Sequence, residues 1–87
     1  MTSDQIENFL LQADLDKSKV NINFKSRNPF MGIFIKTNDY SELKSKNLWR
    51  IVSESKIEEF LSEKDSSIAR IFNGVEITKL SLAKAPK

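Results

Sequence analysis

Residues 20–35 read VNINFKSRNPFMGIFI, and this stretch decides the fold. Its first part alternates strictly, because Val20, Ile22 and Phe24 are separated by single polar residues. Successive side chains of a β-strand point to opposite faces of a sheet, so this alternation is typical of a strand with one buried face. We expect the rest of the sheet to be built outward from this strand.

A second strand follows at once. Residues 27–29 end in a proline and predict a turn, after which residues 30–37 are rich in phenylalanine and isoleucine. Because the connection between the two strands is so short, we expect them to pair side by side as an antiparallel hairpin. Gly32, inside the second strand, predicts the kind of bend or bulge with which small barrels curl a sheet.

Three more strands are predicted downstream. Residues 48–52 form the third, and residues 68–72 and 75–82 form the fourth and fifth, because these runs are rich in β-branched and large apolar side chains. Trp49 continues a buried strand and is predicted to belong to the core. The Asn73-Gly74 pair predicts a tight hairpin between the last two strands, since both residue types tolerate positive φ.

The connections around the third strand are less regular. Residues 38–47 are polar and turn-forming, which predicts a long exposed loop or the tip of an extended hairpin. Ser55 and Glu58 have the spacing of a capping box, and apolar residues follow at helical spacing, so residues 56–64 are predicted to form a short helix. A bent strand is the alternative for this segment.

The first element is a helix over residues 3–14, because its apolar residues recur at the i, i+3, i+4, i+7 spacing that places them on one face. Thr2 and Gln5 form a capping-box signature at its start. We therefore predict an α+β fold, in which this helix packs on a strongly bent five-stranded antiparallel sheet or small barrel of Sm- or SH3-like type. One small domain is expected over residues 1–83, with the barrel at 19–83 and a flexible tail at 84–87.

Composition excludes most catalytic chemistry. The 87 residues include no cysteine and no histidine, so thiolate nucleophiles, serine–histidine pairs and ordinary zinc sites are not available. No glycine-rich phosphate loop occurs either. We therefore expect a protein that is not an enzyme and that needs no metal or cofactor. The missing cysteines, together with the lack of an export signal or an apolar run long enough to cross a membrane, favour a cytoplasmic location without a membrane partner.

Charge is unevenly distributed along the chain. Residues 17–52 carry eight basic and two acidic side chains, whereas residues 1–16 carry four acidic side chains and no basic one. Such banding can present a basic face to a polyphosphate. It is also typical of oppositely charged elements that pack side by side, and the net charge of only +2 fits that interpretation equally well.

The order of elements resembles that of Sm-like, Hfq-type small β-barrels. Val20, Ile22 and Phe24, followed by a turn and by Phe30 and Gly32, are similar to the first two strands of that family. Gly74, with Ile77 and Leu80 three and six residues later, is similar to its second motif.

The sequence departs from the family at positions that carry function. Asn38 stands where the first motif has an aspartate, and Glu42 stands where it has an asparagine, although Asn47 can serve if the loop is longer. Asn73 replaces the arginine that usually precedes the second glycine. The segment 53–65 has no clear counterpart in the family.

The resemblance implies a non-catalytic module that binds single-stranded RNA, or acts as an RNA chaperone, through loops of a ring of protomers. In that hypothesis Tyr40 stacks on a base, and Asn73 hydrogen-bonds a base edge. The phosphates would be contacted by Lys36, Lys44, Lys46 and Arg50.

Structural explanations compete with these assignments. Tyr40 can simply cover the end of the barrel, Lys44 and Lys46 can make a hairpin tip soluble, and Asn73 can serve only its turn. A protein-interaction or scaffold domain on the same barrel, without a nucleic-acid function, is therefore the alternative. Its partner would be another protein or further copies of the chain.

Overall fold

The computed structural model describes residues 1–13, 15, 18–63 and 65–83. Its helices and strands are α1 (Ser3–Leu10), β1 (Val20–Phe24), β2 (Phe30–Phe34), α2 (Tyr40–Ser45), β3 (Leu48–Ser53), α3 (Ile57–Glu63), β4 (Arg70–Asn73) and β5 (Ile77–Leu82). Short 3-10 turns occur at Glu54–Lys56, Ser66–Ile68 and Gly74–Glu76. The strands form one antiparallel sheet in the order β4-β3-β2-β1-β5. The predicted α+β class with a five-stranded antiparallel sheet is confirmed.

The sheet is strongly bent. The ring centroids of Phe24 on β1 and Phe72 on β4 lie 5.6 Å apart, although β2 and β3 separate these strands in the hydrogen-bonded order. Neighbouring strands lie about 4.8 Å apart, so a flat sheet would separate β1 from β4 by about 14 Å. A register shift at Asn23 and Phe24, where β1 pairs with β5, adds to the bend. The sheet therefore curls as it does in a small barrel.

Gly32 is required by a close approach between strands. A Cβ atom at this position would lie 2.8 Å from the backbone oxygen of Val52 and 2.9 Å from Cγ2 of Ile51, which is closer than real Cβ atoms approach. The pairing of Gly32 with Ser53 continues without a register shift into the next two pairs. Gly32 thus lets β2 and β3 pack closely. The bulge lies instead on β5, where Thr78 has no partner between the pairs Asn23–Lys79 and Phe24–Ile77.

Side chains are buried on both faces of the sheet, in two separate cores. The first core includes α1 and consists of Ile6, Leu10, Val20, Ile22, Phe34, Trp49, Ile51, Ile77 and Leu80. The second core includes α3 and consists of Ile33, Ile35, Val52, Ile57, Phe60 and Ala69. Neighbouring residues of β2 and β3 belong to different cores, because alternate side chains of a strand point to opposite faces. The prediction that Trp49 belongs to the core is confirmed, since its side chain is only 2% exposed.

Helix α1 starts as predicted and ends early. The backbone N–H of Gln5 donates to Thr2 Oγ1 at 3.1 Å, and that of Thr2 donates to Gln5 Oε1 at 2.9 Å, which completes the capping box. The helix ends at Leu10 rather than at position 14, which lies outside the described residues. The backbone N–H of Ala13 bonds the carbonyl of Leu10, and this tighter turn brings Ala13 against the first core.

The segment 38–47 is not the exposed loop or hairpin tip that its composition predicted, because it contains helix α2. Tyr40 packs against the first core, and Glu42 pairs with Lys46 at 3.5 Å across one helical turn. Asn47 follows the helix with a φ of 59°, the left-handed conformation in which many helices end. The prediction was wrong because good helix formers lie between two turn-forming ends.

The predicted hairpin between β4 and β5 is also wrong. These strands form the two opposite edges of the sheet, and the 3-10 turn Gly74–Glu76 connects them. Asn73 stabilises this turn, because its Oδ1 accepts a hydrogen bond of 2.9 Å from the backbone N–H of Val75. Gly74 has no positive φ, and it is needed because a Cβ there would collide with the side chains of Asn47 and Ile6.

The helix predicted for residues 56–64 is confirmed as α3, although position 64 lies outside the described residues. Ser55 lies inside the 3-10 turn Glu54–Lys56, which continues directly into α3, so it does not occupy the N-cap position that the capping-box prediction gave it. The strands differ from their predicted bounds by up to three residues, chiefly because 3-10 turns occupy the ends of the predicted fourth and fifth strands. The predicted tail at 84–87 lies outside the described residues.

Candidate nucleic-acid interface

Tyr40, predicted to stack on a base, lies at the start of α2 and is half-buried. Its ring meets the ring of Trp49 edge-on, with 6.0 Å between the centroids and 72° between the planes. Burial raises the pKa of the Tyr40 hydroxyl above its ordinary value of 10.0. Tyr40 therefore covers part of the first core, as the structural explanation for this residue required.

Two of the predicted phosphate-binding lysines lie beside the same ring. The Nζ atoms of Lys36 and Lys44 are 5.8 Å and 5.6 Å from the centroid of Tyr40. Both distances are within the range of cation–π interactions. The fold thus brings Lys36, Tyr40 and Lys44 together on one surface, which we call the Tyr40 surface.

Lys44 is held by α1. Its Nζ lies 2.6 Å from Glu7 Oε2, and this hydrogen bond raises the pKa of the Lys44 ammonium. The hydroxyl of Ser3 also donates to the backbone carbonyl of Lys44 at 2.7 Å. Lys44 therefore joins α2 to α1, and its charge is already compensated.

Arg50 has an equally close carboxylate partner. Its Nη2 and Nε donate to the two carboxylate oxygens of Asp39 at 2.7 Å and 3.2 Å, a two-pronged geometry that is among the stronger ion pairs in proteins. This guanidinium and the hydroxyl of Thr37 lower the pKa of the Asp39 carboxyl from 3.8 to about 2. The pair fastens the start of α2 to β3.

Lys46 and Asn73 complete the predicted set. Lys46 is exposed and pairs with Glu42 on its own helix. Asn73 faces Leu48 in the β3–β4 register and holds its turn through the hydrogen bond to Val75. Three of the four cations predicted to bind phosphate are therefore paired with carboxylates in the fold. A phosphate that binds Lys44 on the Tyr40 surface has to displace the carboxylate of Glu7.

A different surface combines aromatic side chains with cations that form no salt bridge to any carboxylate of the described residues. A groove with a volume of about 470 Å³ lies on the curled face of the sheet. It is lined by Arg27, Phe30, Ile51, Ser53, Ser55, Lys56, Ser67, Ile68, Arg70 and Phe72. We call it the basic groove, because three of these side chains are cationic and, among the described residues that line it, none is a carboxylate.

Two phenylalanines, Phe30 and Phe72, line the basic groove, and Phe24 packs against both of them. The rings of Phe24, Phe30 and Phe72 pack in a triangle with centroid distances of 5.1, 5.6 and 5.5 Å. The guanidinium of Arg27 lies 5.5 Å from the Phe24 centroid and 5.4 Å from the Phe72 centroid. Arg27 thus covers two of the rings and leaves Phe30 beside the open groove.

The strand register explains why these side chains share a face. Arg70 on β4 pairs with Ile51 on β3, and Gly32 on β2 pairs with Ser53 on β3. Paired residues, and residues two apart on one strand, point to the same side of a sheet. The missing side chain at Gly32 leaves room for Phe30, whose ring would lie only 3.3 Å from a Cβ at that position.

The sequence analysis missed the basic groove because its cations are far apart in the chain. Arg27 lies in the β1–β2 connection, Lys56 lies before α3, and Arg70 begins β4. No run of basic residues marks them. The available signal was the alternation in β1 and β2, which places Phe24 and Phe30 on the same face as the core residue Ile22.

The described residues contain neither a cluster of metal-binding side chains nor a membrane-spanning helix. No cluster of three or more histidine, cysteine, aspartate or glutamate side chains is arranged to hold a metal ion in the part of the chain that the structure describes. Within the same residues, no helix is long and apolar enough to cross a membrane.

Comparisons with known proteins do not identify a relative. No family model, no curated protein and no solved structure matches the chain. The similarity to Sm-like barrels therefore stays a prediction from sequence motifs, and any functional conclusion depends on the geometry of the chain itself.

Proposed function

We propose that this domain is a non-catalytic module that binds single-stranded RNA in the basic groove. The observation that carries the proposal is the combination of Arg27, Lys56 and Arg70 with the exposed side of Phe30 in one concavity. Single-stranded nucleic acids are bound by such combinations, because cations neutralise the backbone phosphates while aromatic rings stack on the bases.

The basic groove fits this function better than the Tyr40 surface does. Arg27, Lys56 and Arg70 are all exposed, whereas Lys44 and Arg50 are half-buried and engaged by carboxylates. An exposed cation without a carboxylate beside it contributes its full charge to a phosphate. A cation that is already paired has to release its carboxylate before it binds a phosphate, so the exchange contributes little binding free energy.

RNA binding can be measured by fluorescence anisotropy with a labelled oligo-uridine or oligo-adenosine at low salt. We expect Arg70→Gln and Lys56→Gln each to weaken binding by about threefold or more, since each removes one phosphate contact. Phe30→Leu should weaken it by about fivefold or more, because stacking contributes about 1–3 kcal/mol per base.

Lys79→Gln is the matched control, because Lys79 is an exposed cation on β5 that does not line the groove. It should leave the affinity unchanged within about twofold, and circular dichroism should show that each variant is folded. Loss of binding with Lys44→Gln or Arg50→Gln, but not with Arg70→Gln, would move the site to the Tyr40 surface. No binding at micromolar protein would reject the function.

The sheet edges favour a second candidate function, which is association with another copy of the chain. The outer edges of β4 and β5 lack a neighbouring strand in the described sheet, and such edges are templates for pairing between chains. Ile71 on β4 and Leu82 on β5 are 47% and 40% exposed. Pairing of these edges would bury both side chains.

Sedimentation velocity over a range of protein concentrations distinguishes the two cases. Edge pairing predicts reversible oligomers that Ile71→Lys dissociates. Val75→Lys is the control, because Val75 is 50% exposed but lies in the turn between the edge strands. A protein that stays monomeric at all concentrations would exclude self-association.

A further inference from the structure

We propose that the basic groove is a site for one nucleotide, with its base on Phe30 and its phosphate at Lys56 and Arg70. The inference rests on the proposed function and specifies the ligand of the same groove. It means that a free nucleoside monophosphate is a ligand in its own right, and that each domain takes up a single nucleotide unit of a strand.

The size of the groove supports one nucleotide. Its volume of about 470 Å³ lies within the range of about 300–1,000 Å³ that small-molecule sites occupy. Arg27 and Phe72 also line a neighbouring concavity of about 230 Å³, which they share with the carboxylate residue Glu76. A negative charge on that side disfavours a second phosphate there.

The strand register gives the groove two different ends. Along β4 the chain passes from Arg70 to Phe72, and the β3 partners of these residues are Ile51 and Trp49. Ser53, two residues beyond Ile51, therefore lies at the Arg70 end. This end is cationic and rich in hydroxyl groups. Phe72 lies at the other end, and the ring of Phe30 reaches it, with 5.5 Å between the two centroids.

Each end matches one part of a nucleotide. Arginine, lysine and serine side chains are common donors to phosphate oxygens, and Ser53 and Ser55 accompany Lys56 and Arg70 along the groove lining. Phe30 offers the stacking face, because its ring contacts that of Phe72 with 5.5 Å between the centroids, while Arg27 lies over Phe24 and Phe72. The hydroxyls of Ser53 and Ser55 lie 3.4 Å apart, so both can reach one phosphate group.

Arg27 has a defined part in this arrangement. Its side chain is exposed and lies in the connection between β1 and β2, so it can rotate away from the Phe72 ring. A base that lies on Phe30 then enters beside it, and the guanidinium can stack on the outer face of that base. Arg27→Ala should therefore weaken nucleotide binding without preventing it.

The test is a titration of the isotope-labelled chain followed by two-dimensional NMR, with four separate probes. These are adenosine 5′-monophosphate, adenosine without phosphate, inorganic phosphate and a labelled oligo-adenosine. The monophosphate should shift the amide signals of both Phe30 and Arg70. Adenosine should shift mainly the aromatic end and bind at least about tenfold more weakly, and phosphate should shift mainly the Arg70 end.

Two variants assign the ends. Arg70→Gln should make the affinities for monophosphate and nucleoside nearly equal, whereas Phe30→Leu should make the affinities for monophosphate and inorganic phosphate nearly equal. Dispersed spectra show that each variant is folded. Lys79→Gln should bind all the probes as the wild type does.

The outcomes separate this inference from the proposed function. If the oligo-adenosine shifts groove signals but the monophosphate does not, the single-nucleotide site is wrong and RNA binding stands. If inorganic phosphate binds as tightly as the monophosphate, the groove is only an anion site and the inference is again wrong. If no probe shifts groove signals, both proposals are wrong.

Discussion

The backbone N–H of Gly74 donates a hydrogen bond of 2.7 Å to the carbonyl oxygen of Asn47. This bond joins the residue that follows α2 to the turn that connects the two edge strands. At the same point the amino group of Met1 donates to the carbonyl oxygens of Gly74 and Ile77, at 2.9 Å and 2.5 Å. Three segments that are distant in the sequence thus meet at one junction.

Gly74→Ala should destabilise the protein by about 1–3 kcal/mol, the usual cost of adding a methyl group to a filled space. The cause is steric, since the new Cβ would collide with Asn47 and with Cδ1 of Ile6, and the φ of Gly74 is not positive. The free energy of unfolding in urea measures this loss. Val75→Ala, at the exposed neighbour, is the control and should change stability by less than about 0.5 kcal/mol. Equal stabilities of the two variants would contradict the packing described for Gly74.

Two variants of Asn47 should separate its side-chain contacts from its backbone conformation. Its Oδ1 accepts a hydrogen bond of 2.9 Å from Nε1 of the buried Trp49, and its Nδ2 donates to the carbonyl of Met1 at 3.0 Å. Asn47→Gly keeps the left-handed conformation and should lose about 1–3 kcal/mol, because the indole N–H is left without its partner. Asn47→Ala should lose about 1 kcal/mol more, the cost of that conformation for a residue with a Cβ. Equal losses in urea unfolding would show that the conformation carries no cost.

The pair of Asp39 and Arg50 should make stability depend on pH in the acid range. The pKa of the Asp39 carboxyl falls from 3.8 to about 2 in the folded chain, so the folded state favours the ionised form. A lowered pKa contributes stability that is fully present above the ordinary value and is lost as the pH falls toward the folded value. Wild type should therefore be more stable than Asp39→Asn at neutral pH, and the difference should vanish between 3.8 and about 2. Urea unfolding at a series of pH values tests this, and a difference that persists at the lowest pH would contradict it.

The salt dependence of RNA affinity should report how many phosphates the cations of the basic groove neutralise. Each phosphate neutralised on a single strand contributes a slope of about −0.7 to the logarithm of affinity against the logarithm of salt concentration. The one phosphate bound at Lys56 and Arg70 predicts a slope of about −0.7, and Arg70→Gln should reduce its magnitude. Anisotropy titrations at several salt concentrations give both values. A slope that Arg70→Gln leaves unchanged, and that Lys44→Gln reduces, would place the phosphates on the Tyr40 surface.

Local periodicity was enough to predict most of the fold. The alternation in β1 and the capping box at Thr2 depend on neighbouring residues, and both are present in the structure. The link between β4 and β5 could not be predicted in this way. Asn73 and Gly74 satisfy a hairpin pattern, but contacts with Asn47 and Ile6, far away in the sequence, determine which conformation forms.

The candidate site was less predictable for the same reason. A count of basic residues between positions 17 and 52 could not show that Glu7 approaches Lys44 from α1. Nor could it show that the Asp39 carboxylate accepts hydrogen bonds from two nitrogens of the Arg50 guanidinium. Likewise, Arg27 and Arg70 become neighbours of one groove only after the sheet has curled. The number of charged residues in a segment therefore does not predict the charge of a surface, because the fold determines which charges pair with one another.

The position of β5 has a consequence for how the chain is made. This strand is synthesised after the other four, yet it pairs along the whole length of β1, and its Ile77 lies in the same core as Ile6 of the first helix. A nascent chain that stops before β5 therefore leaves one side of β1 open and the first core incomplete. Because such distant contacts have to form together, we expect the complete sheet and the first core to form only after residue 82 has emerged from the ribosome.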